Sequence, residues 1–228
     1  MKSGGKSGSR LRQNPEASVP VSFSPRGGLF LDRDGVVNVD RGYVHRPDQI
    51  EFVPGVFDLG RTAMRLNLPI MVITNQAGIA RALYSPAQFH DLMDWMAARF
   101  AREGVAIARI EHSPWFPPGL TPPEGSELLA EWVRDSWWRK PGAGMVRRAA
   151  MAVGVDPAQS VLVGDRAGDI AAGREAGVRA TIQFVPETPS PALDLVPDTP
   201  PGPAPDFGAD YRCRRHEEVI EILERLYG

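Results

Sequence analysis

Two carboxylates, Asp32 and Asp34, end an apolar run in Gly-Leu-Phe-Leu-Asp-Arg-Asp-Gly, residues 28–35. Residues i and i+2 of an extended chain point to the same side, so both acids can converge on one small volume. Anions held that close repel unless a cation or proton intervenes, and a hard divalent ion such as Mg²⁺ takes oxygen ligands. Three later segments offer what a phosphoryl group needs. Thr74 follows a second apolar run, where its hydroxyl and the N–H groups of the turn can hold phosphate oxygens. Lys140, just before Pro141, can neutralise phosphate charge. Asp165 and Asp169 frame Gly-Asp-Arg-Ala-Gly-Asp and lie one helical turn apart, so they can face one pocket. Each segment alone also has an ordinary reading: a polar turn at Gly35, a Thr-Asn turn, a solvated lysine, a helix N-cap at Asp165. A third acidic strand end beside Asp32 and Asp34 is nevertheless costly without a cation.

Such residues are positioned only if strands stop where the acids begin. Leu29–Leu31 reads as a short buried strand, and Gly35 supplies the turn that ends it. Between Gly35 and Pro54 there is no helical period, which suggests a flap or hairpin-like loop over that strand's end. From about Pro54, Val56, Leu59, Ala63 and Leu66 fall at helical spacing. Residues 69–74 form a second apolar run. Ser85 caps and Pro86 opens a helix to about Arg102, with Phe89, Leu92, Met93, Met96 and Phe100 on one face. Further strands are expected over residues 105–110, 160–164 and 178–185, with an edge strand over 209–213. Helices are expected over residues 142–153, 167–176 and 216–226. Residues 112–139 lack periodicity and carry four of the five tryptophans. Residues 186–208 hold eight prolines and read as an extended, mobile loop. Strands alternating with helices predict an α/β fold: a doubly wound, mostly parallel sheet covered on both faces. Ligands of such sheets bind at the carboxyl ends of the strands, where these acids stand.

Composition sets the outer bounds. A chain of 228 residues, 43% hydrophobic, can bury one good core. One domain over residues 27–228 is expected, after a flexible tail over residues 1–26 rich in Gly, Ser and basic residues. The net charge of −2 argues against a dedicated nucleic-acid binder or a polybasic membrane anchor. No apolar run approaches transmembrane length, and the first residues lack the apolar core of a secretory signal. Cys213 is the one cysteine, which excludes an intramolecular disulfide and suits the cytoplasm. A monomer is expected.

The ordered set of Asp-x-Asp, Thr, Lys and Asp-x-x-x-Asp resembles the haloacid dehalogenase (HAD) superfamily, whose first motif is an apolar strand ending Asp-x-Asp-Gly. Finer matches resemble the D-glycero-D-manno-heptose 1,7-bisphosphate 7-phosphatases. They are Leu-Asp-Arg-Asp-Gly-Val-Val-Asn-Val-Asp-Arg-Gly-Tyr-Val-His (31–45), Val-Ile-Thr-Asn-Gln-Ala-Gly-Ile-Ala-Arg (72–81) and Arg139-Lys-Pro. The resemblance spans residues 28–184. It implies a Rossmann-like HAD sheet with a minimal cap and an irregular insertion before Lys140-Pro141. It implies Mg²⁺ on Asp32, the Asp34 backbone carbonyl and Asp165, with Asp169 orienting groups around the metal. Asp32 would be the nucleophile and Asp34 the acid and base, while Thr74 and Lys140 would stabilise the transferring phosphoryl group. Asp40, Arg41, Gly42, Tyr43, Asn75, Gln76, Ala77, Arg139 and Arg166 would contact a small sugar-phosphate substrate, on the route to the activated heptose of outer-membrane polysaccharide. Histidinol-phosphate phosphatases share the first motif and are the nearest alternative. A non-catalytic sugar-phosphate binder on the same fold is the alternative of another kind, and the presence of both Asp32 and Asp34 counts against it.

One departure stands out. Many members of both phosphatase groups carry a Cys-x-His…Cys-x-Cys zinc site before the Lys-Pro motif. Those positions here read Ser113, Trp115, Ser136 and Trp138, and neither Ser nor Trp is a usual zinc ligand. His112 has no partner in the sequence to make a site. No structural zinc is expected; instead Trp115 and Trp138, with Trp132 and Trp137 nearby, are expected to fix this excursion by packing.

Overall fold

The computed structural model describes residues 27–120, 127–186 and 205–228. Six parallel strands form one sheet in the order β3-β2-β1-β4-β5-β6. They are β1 (Leu29–Leu31), β2 (Ile70–Asn75), β3 (Ile107–Ser113), β4 (Val161–Gly164), β5 (Ala180–Phe184) and β6 (Tyr211–Cys213). The chain winds outward from β1 to β3, then returns to β1's other side and winds outward again through β4. The strand order therefore reverses between β1 and β4, and a crevice opens at their carboxyl ends.

The helices are α1 (Val56–Arg65), α2 (Pro86–Arg102), α3 (Gly144–Val153), α4 (Ala167–Ala176) and α5 (His216–Tyr227). Alternation along the strands assigns them to faces. Leu29, Leu31, Val161 and Val163 share one apolar cluster with Leu59 of α1, Phe89 and Met96 of α2 and Leu223 of α5. Phe30, Met71, Ile73 and Leu162 point the other way, onto Met145, Val146 and Ala149 of α3. The expected doubly wound architecture is thus present, without an antiparallel strand in the main sheet. The segment after Gly35 is hairpin-like, tied by Val39 N–H to Glu51 O (2.8 Å) and Val53 N–H to Val37 O (3.1 Å).

Some boundaries differ from the sequence expectation. β3 begins at Ile107 rather than 105, because Val105 N–H bonds back to Phe100 O (3.0 Å) to close α2 while its side chain fills the core. β3 then runs on to Ser113, held in register opposite Asn75 of β2, so the irregular excursion starts at Pro114 rather than 112. α3 begins at Gly144, since Gly142 and Gly144 N–H close turns onto Arg139 and Trp137 carbonyls. The described part of the excursion is packed, but by a different pair of rings. Trp115 meets Trp132 (centroids 5.0 Å apart), with the Arg134 guanidinium 3.5 Å above the Trp115 ring centre. Trp138 instead packs on the α3 side of the sheet and donates Nε1–H to His112 O (2.8 Å), while Trp137 is 66% exposed. His112 also has a ring neighbour, His90, at 5.2 Å. The expected N-terminal tail lies outside the described residues, as does most of the Pro-rich loop. That loop's described end is tied down by Gln183 Nε2–H to Pro205 O (2.7 Å).

Candidate active site

β1 delivers Asp32 to the crevice. The Asp32 N–H donates to Val163 O (3.0 Å) and so fastens the strand end to β4. Gly35 then turns the chain at φ +91°, and a Cβ there would stand 2.3 Å from Asp165 Oδ2. Only glycine lets these two loops meet. Asp165 directly follows β4, and Asp169 lies on the first turn of α4. Asp32, Asp165 and Asp169 each offer an oxygen within 4.8 Å of the others.

Lys140 reaches this acidic group from the turn before α3. Its Nζ lies 2.7 Å from Asp32 Oδ1, pairs with Asp169 Oδ1 and donates to Ile73 O (3.1 Å). Asn75, ending β2, holds the Lys140 backbone from both sides: Oδ1 accepts its N–H (3.1 Å) and Nδ2 donates to its carbonyl (3.0 Å). Gln76 Nε2 donates both to Thr74 Oγ1 (2.7 Å) and to Asp34 Oδ2 (3.1 Å). Asp34 is held further by Arg33 Nη2 (2.7 Å) and Asn38 Nδ2 (3.1 Å).

Asp32, Asp34, Thr74, Asn75, Gln76, Lys140 and Asp169 line a cavity of about 280 Å³ together with Asp40, Gly42, Tyr43, Ala77, Arg139 and Arg166. Nearly every sequence-predicted site residue therefore converges here. Asp165 joins through the acidic cluster rather than the cavity lining. Arg41 does not converge: it is half exposed and pairs with Glu51 at the flap. Arg166 bridges Asp40 (2.9 Å) and Asp165 (3.3 Å), and Arg139 donates to Trp115 O (3.2 Å), tying the excursion to the cavity wall.

The electrostatics call for a cation. Burial, then the neighbouring Asp169, pushes Asp32 up to about 7 despite the opposing Lys140. Burial, then Asp32 and Asp169, lifts Asp165 well above the usual carboxylate range. Asp165 Oδ1 is buried with no hydrogen-bond partner among the described residues. Clustered carboxylates with one orphaned oxygen suit a hard ion that takes oxygen ligands, as Mg²⁺ does. Asp169 is engaged otherwise, Oδ1 with Lys140 and Oδ2 with the Arg166 N–H (2.9 Å), which fits the orienting role. Burial disfavours charge on Lys140, but Asp169 and Asp32 outweigh it and hold the ammonium above its ordinary value. The result is a fixed cation beside one buried carboxylate, with a second carboxylate and a hydroxyl at the same cavity.

Sequence reasoning missed three participants. Arg33 occupies the variable position between the two acids yet is fully buried. Asn38 and Tyr84 reach the site only through the folding of their loops, and no local pattern marks them.

Comparison with known proteins gives a consistent picture. A family model described as HAD-hydrolase-like matches residues 137–182. The chain is similar to the D-glycero-beta-D-manno-heptose-1,7-bisphosphate 7-phosphatase of Haemophilus influenzae, 37% identical over 68% of this chain and 79% of that one. It is also similar to the D-glycero-alpha-D-manno-heptose-1,7-bisphosphate 7-phosphatase of Burkholderia mallei, 38% identical over 79% and 97% of the two chains. Among solved structures, the D,D-heptose 1,7-bisphosphate phosphatase of B. bronchiseptica, complexed with magnesium and phosphate, superposes with a TM-score of 0.64. That match is 28% identical and covers 87% of this chain and 98% of the other.

Proposed function

The chain belongs to the heptose-bisphosphate phosphatase family of HAD-like hydrolases, and on that footing we propose that it removes the 7-phosphate of a D-glycero-D-manno-heptose 1,7-bisphosphate, with Mg²⁺ as cofactor. The observation that carries this reading is one cavity holding the Asp32–Lys140 pair (2.7 Å), Asp34 and Thr74, with the two guanidinium groups of Arg139 and Arg166 in its wall. That arrangement suits a ligand with more anionic charge than one phosphate. The names of the relatives divide between α and β anomers, so the reading is for the bisphosphate and not for one anomer.

Asp32 attacks phosphorus as the P–O bond to the sugar breaks, giving an aspartyl phosphate. Asp34 hands a proton to the departing alkoxide and then takes one from the water that hydrolyses the intermediate. The Thr74 hydroxyl and the Lys140 ammonium oppose charge on the transferring group. Asp32, the Asp34 carbonyl and Asp165 would hold Mg²⁺, which when bound would supply charge neutralisation at the phosphate. Arg139 presents a planar fork to the phosphate that stays, and Asp40, Gly42, Tyr43, Ala77 and Arg166 flank the sugar. No helix among the described residues is long and apolar enough to cross a membrane. The reading is of a monomer acting on a small cytoplasmic metabolite.

Phosphate release from the bisphosphate, with and without Mg²⁺, tests the reading. Asp32→Asn is expected to lower kcat on the order of a thousandfold or more while the protein stays folded. Near wild-type turnover in that variant would remove the nucleophile assignment.

A further inference from the structure

Gln76 is buried, and one of its amide groups serves two functional side chains: Nε2 donates to Thr74 Oγ1 (2.7 Å) and to Asp34 Oδ2 (3.1 Å). A primary amide can sit either way round, and the two orientations have opposite consequences here. With nitrogen facing Asp34, the amide stabilises its carboxylate. With nitrogen facing Thr74, the hydroxyl oxygen accepts, so the single Thr74 proton is free to point at a phosphate oxygen. Turned over, the amide would set its oxygen against the carboxylate and draw the Thr74 proton toward itself.

The Asp34 carboxylate, which can only accept, sets that orientation, and a residue eight positions further on holds the other end of the amide in it. Tyr84 donates its hydroxyl proton to Gln76 Oε1. The ring is 5% exposed and stacks on His45 of the flap (centroids 5.0 Å apart, planes within 11°). Burial raises the phenol above its ordinary value, so it keeps its proton, and that proton has the Gln76 carbonyl oxygen as its acceptor. The chain is shaped to admit it: Leu83 N–H closes a turn onto Gly78 O (3.0 Å), and a Cβ on Gly78 would stand 2.3 Å from Tyr84 Cε1.

We propose that Tyr84 is a positioning residue that holds the Gln76 amide so that the Thr74 hydroxyl donates to the phosphoryl group and Asp34 is held for proton transfer. This rests on the phosphatase reading above for its kinetic consequence, though not for its geometry. Gln76 then acts through Thr74 and Asp34, and its side chain is not a substrate contact.

Tyr84→Phe keeps the ring and removes only the hydroxyl. With a sugar bisphosphate as substrate, it is expected to lower kcat about tenfold and change KM less than about twofold. Gln76→Leu should cost a similar factor, and the double variant should lose no more than Gln76→Leu alone, because both changes break one chain of hydrogen bonds. A merely structural role would give losses that multiply, or a loss in KM. A second readout needs no turnover. The Gln76 side-chain amide NMR signals, assigned by their absence in Gln76→Leu, should exchange with solvent at least about tenfold faster in Tyr84→Phe. Unchanged amide exchange, or wild-type kcat in Tyr84→Phe, would overturn the proposal. If wild-type protein hydrolyses no sugar phosphate yet the amide exchange responds as expected, the phosphatase reading fails and the positioning role stands.

Discussion

At the scale of single residues, the site is a set of largely buried carboxylates at one cavity, balanced by Lys140. Without a metal the balance is incomplete, since burial and mutual repulsion raise both Asp32 and Asp165. Asp165→Asn is therefore expected to stabilise the Mg²⁺-free protein by on the order of 1 kcal/mol while abolishing activity. Thermal unfolding in chelator checks the first half; a lower Tm than wild type would contradict it. Arg139→Ala should raise KM for a sugar bisphosphate much more than for its monophosphate, and equal losses on both would remove the phosphate clamp. Asp32, Asp34, Thr74 and Asp165 are legible in the sequence because each stands where an apolar run stops. Arg33 is not legible, because a charged residue flanked by two acids reads as solvated. Its burial depends on the flap folding back, where Val44 O accepts from Nη2 (3.0 Å). Asn75 and Gln76 are legible as site residues but not in their roles, since only the fold shows their side chains turned to Lys140, Thr74 and Asp34.

Secondary-structure elements meet the site through their ends. His216, opening α5, is fully buried, with Nε2 bonded to Val36 O (2.9 Å) just past Gly35 and its ring stacked on Phe184 of β5. The bond to a carbonyl requires Nε2 to carry the proton, and burial lowers this imidazole from 6.5 to about 4. A group whose folded value is lowered binds its proton better when unfolded, so His216 loses stability for the fold as pH falls from about 6.5 to about 4. The full effect is on the order of 3 kcal/mol. Asp32 and Asp165 act in the opposite sense over part of that window, so the comparison must be with His216→Gln in the same buffer. Denaturant unfolding at pH 7 and pH 4.5 should show a smaller acid loss in the variant; equal losses would refute the assignment. Element identities follow from period and caps, as with Ser85, whose Oγ accepts from Gln88 N–H (3.2 Å) at the start of α2. The start and length of β3 do not follow from its own residues. They are set by its ladder with β2, a tertiary fact.

For the molecule as a whole, the reversal of strand order between β1 and β4 decides where chemistry can occur; the alternating pattern of apolar runs and helices implied a parallel sheet with ligands at its strands' carboxyl ends, but not which two strands flank the crevice. The packing partners within residues 114–139 were less accessible. Their place at the zinc-ligand positions of the resembled families suggested Trp115 with Trp138, whereas the sheet places Trp138 toward α3 and leaves Trp115 to Trp132. Elemental analysis is expected to find no stoichiometric zinc in purified protein, since Ser113, Trp115, Ser136 and Trp138 stand at the positions that the resemblance assigns to zinc ligands. One zinc per chain would redirect attention to His90 and His112. The central claim concerns the substrate. It is tested most directly by kcat/KM with Mg²⁺ for D-glycero-D-manno-heptose 1,7-bisphosphate, in both anomers, against hexose monophosphates and histidinol phosphate. The account predicts at least about a hundredfold preference for the heptose bisphosphate, with the 7-phosphate released and the 1-phosphate retained. A higher value for histidinol phosphate, or release of the 1-phosphate, would contradict it.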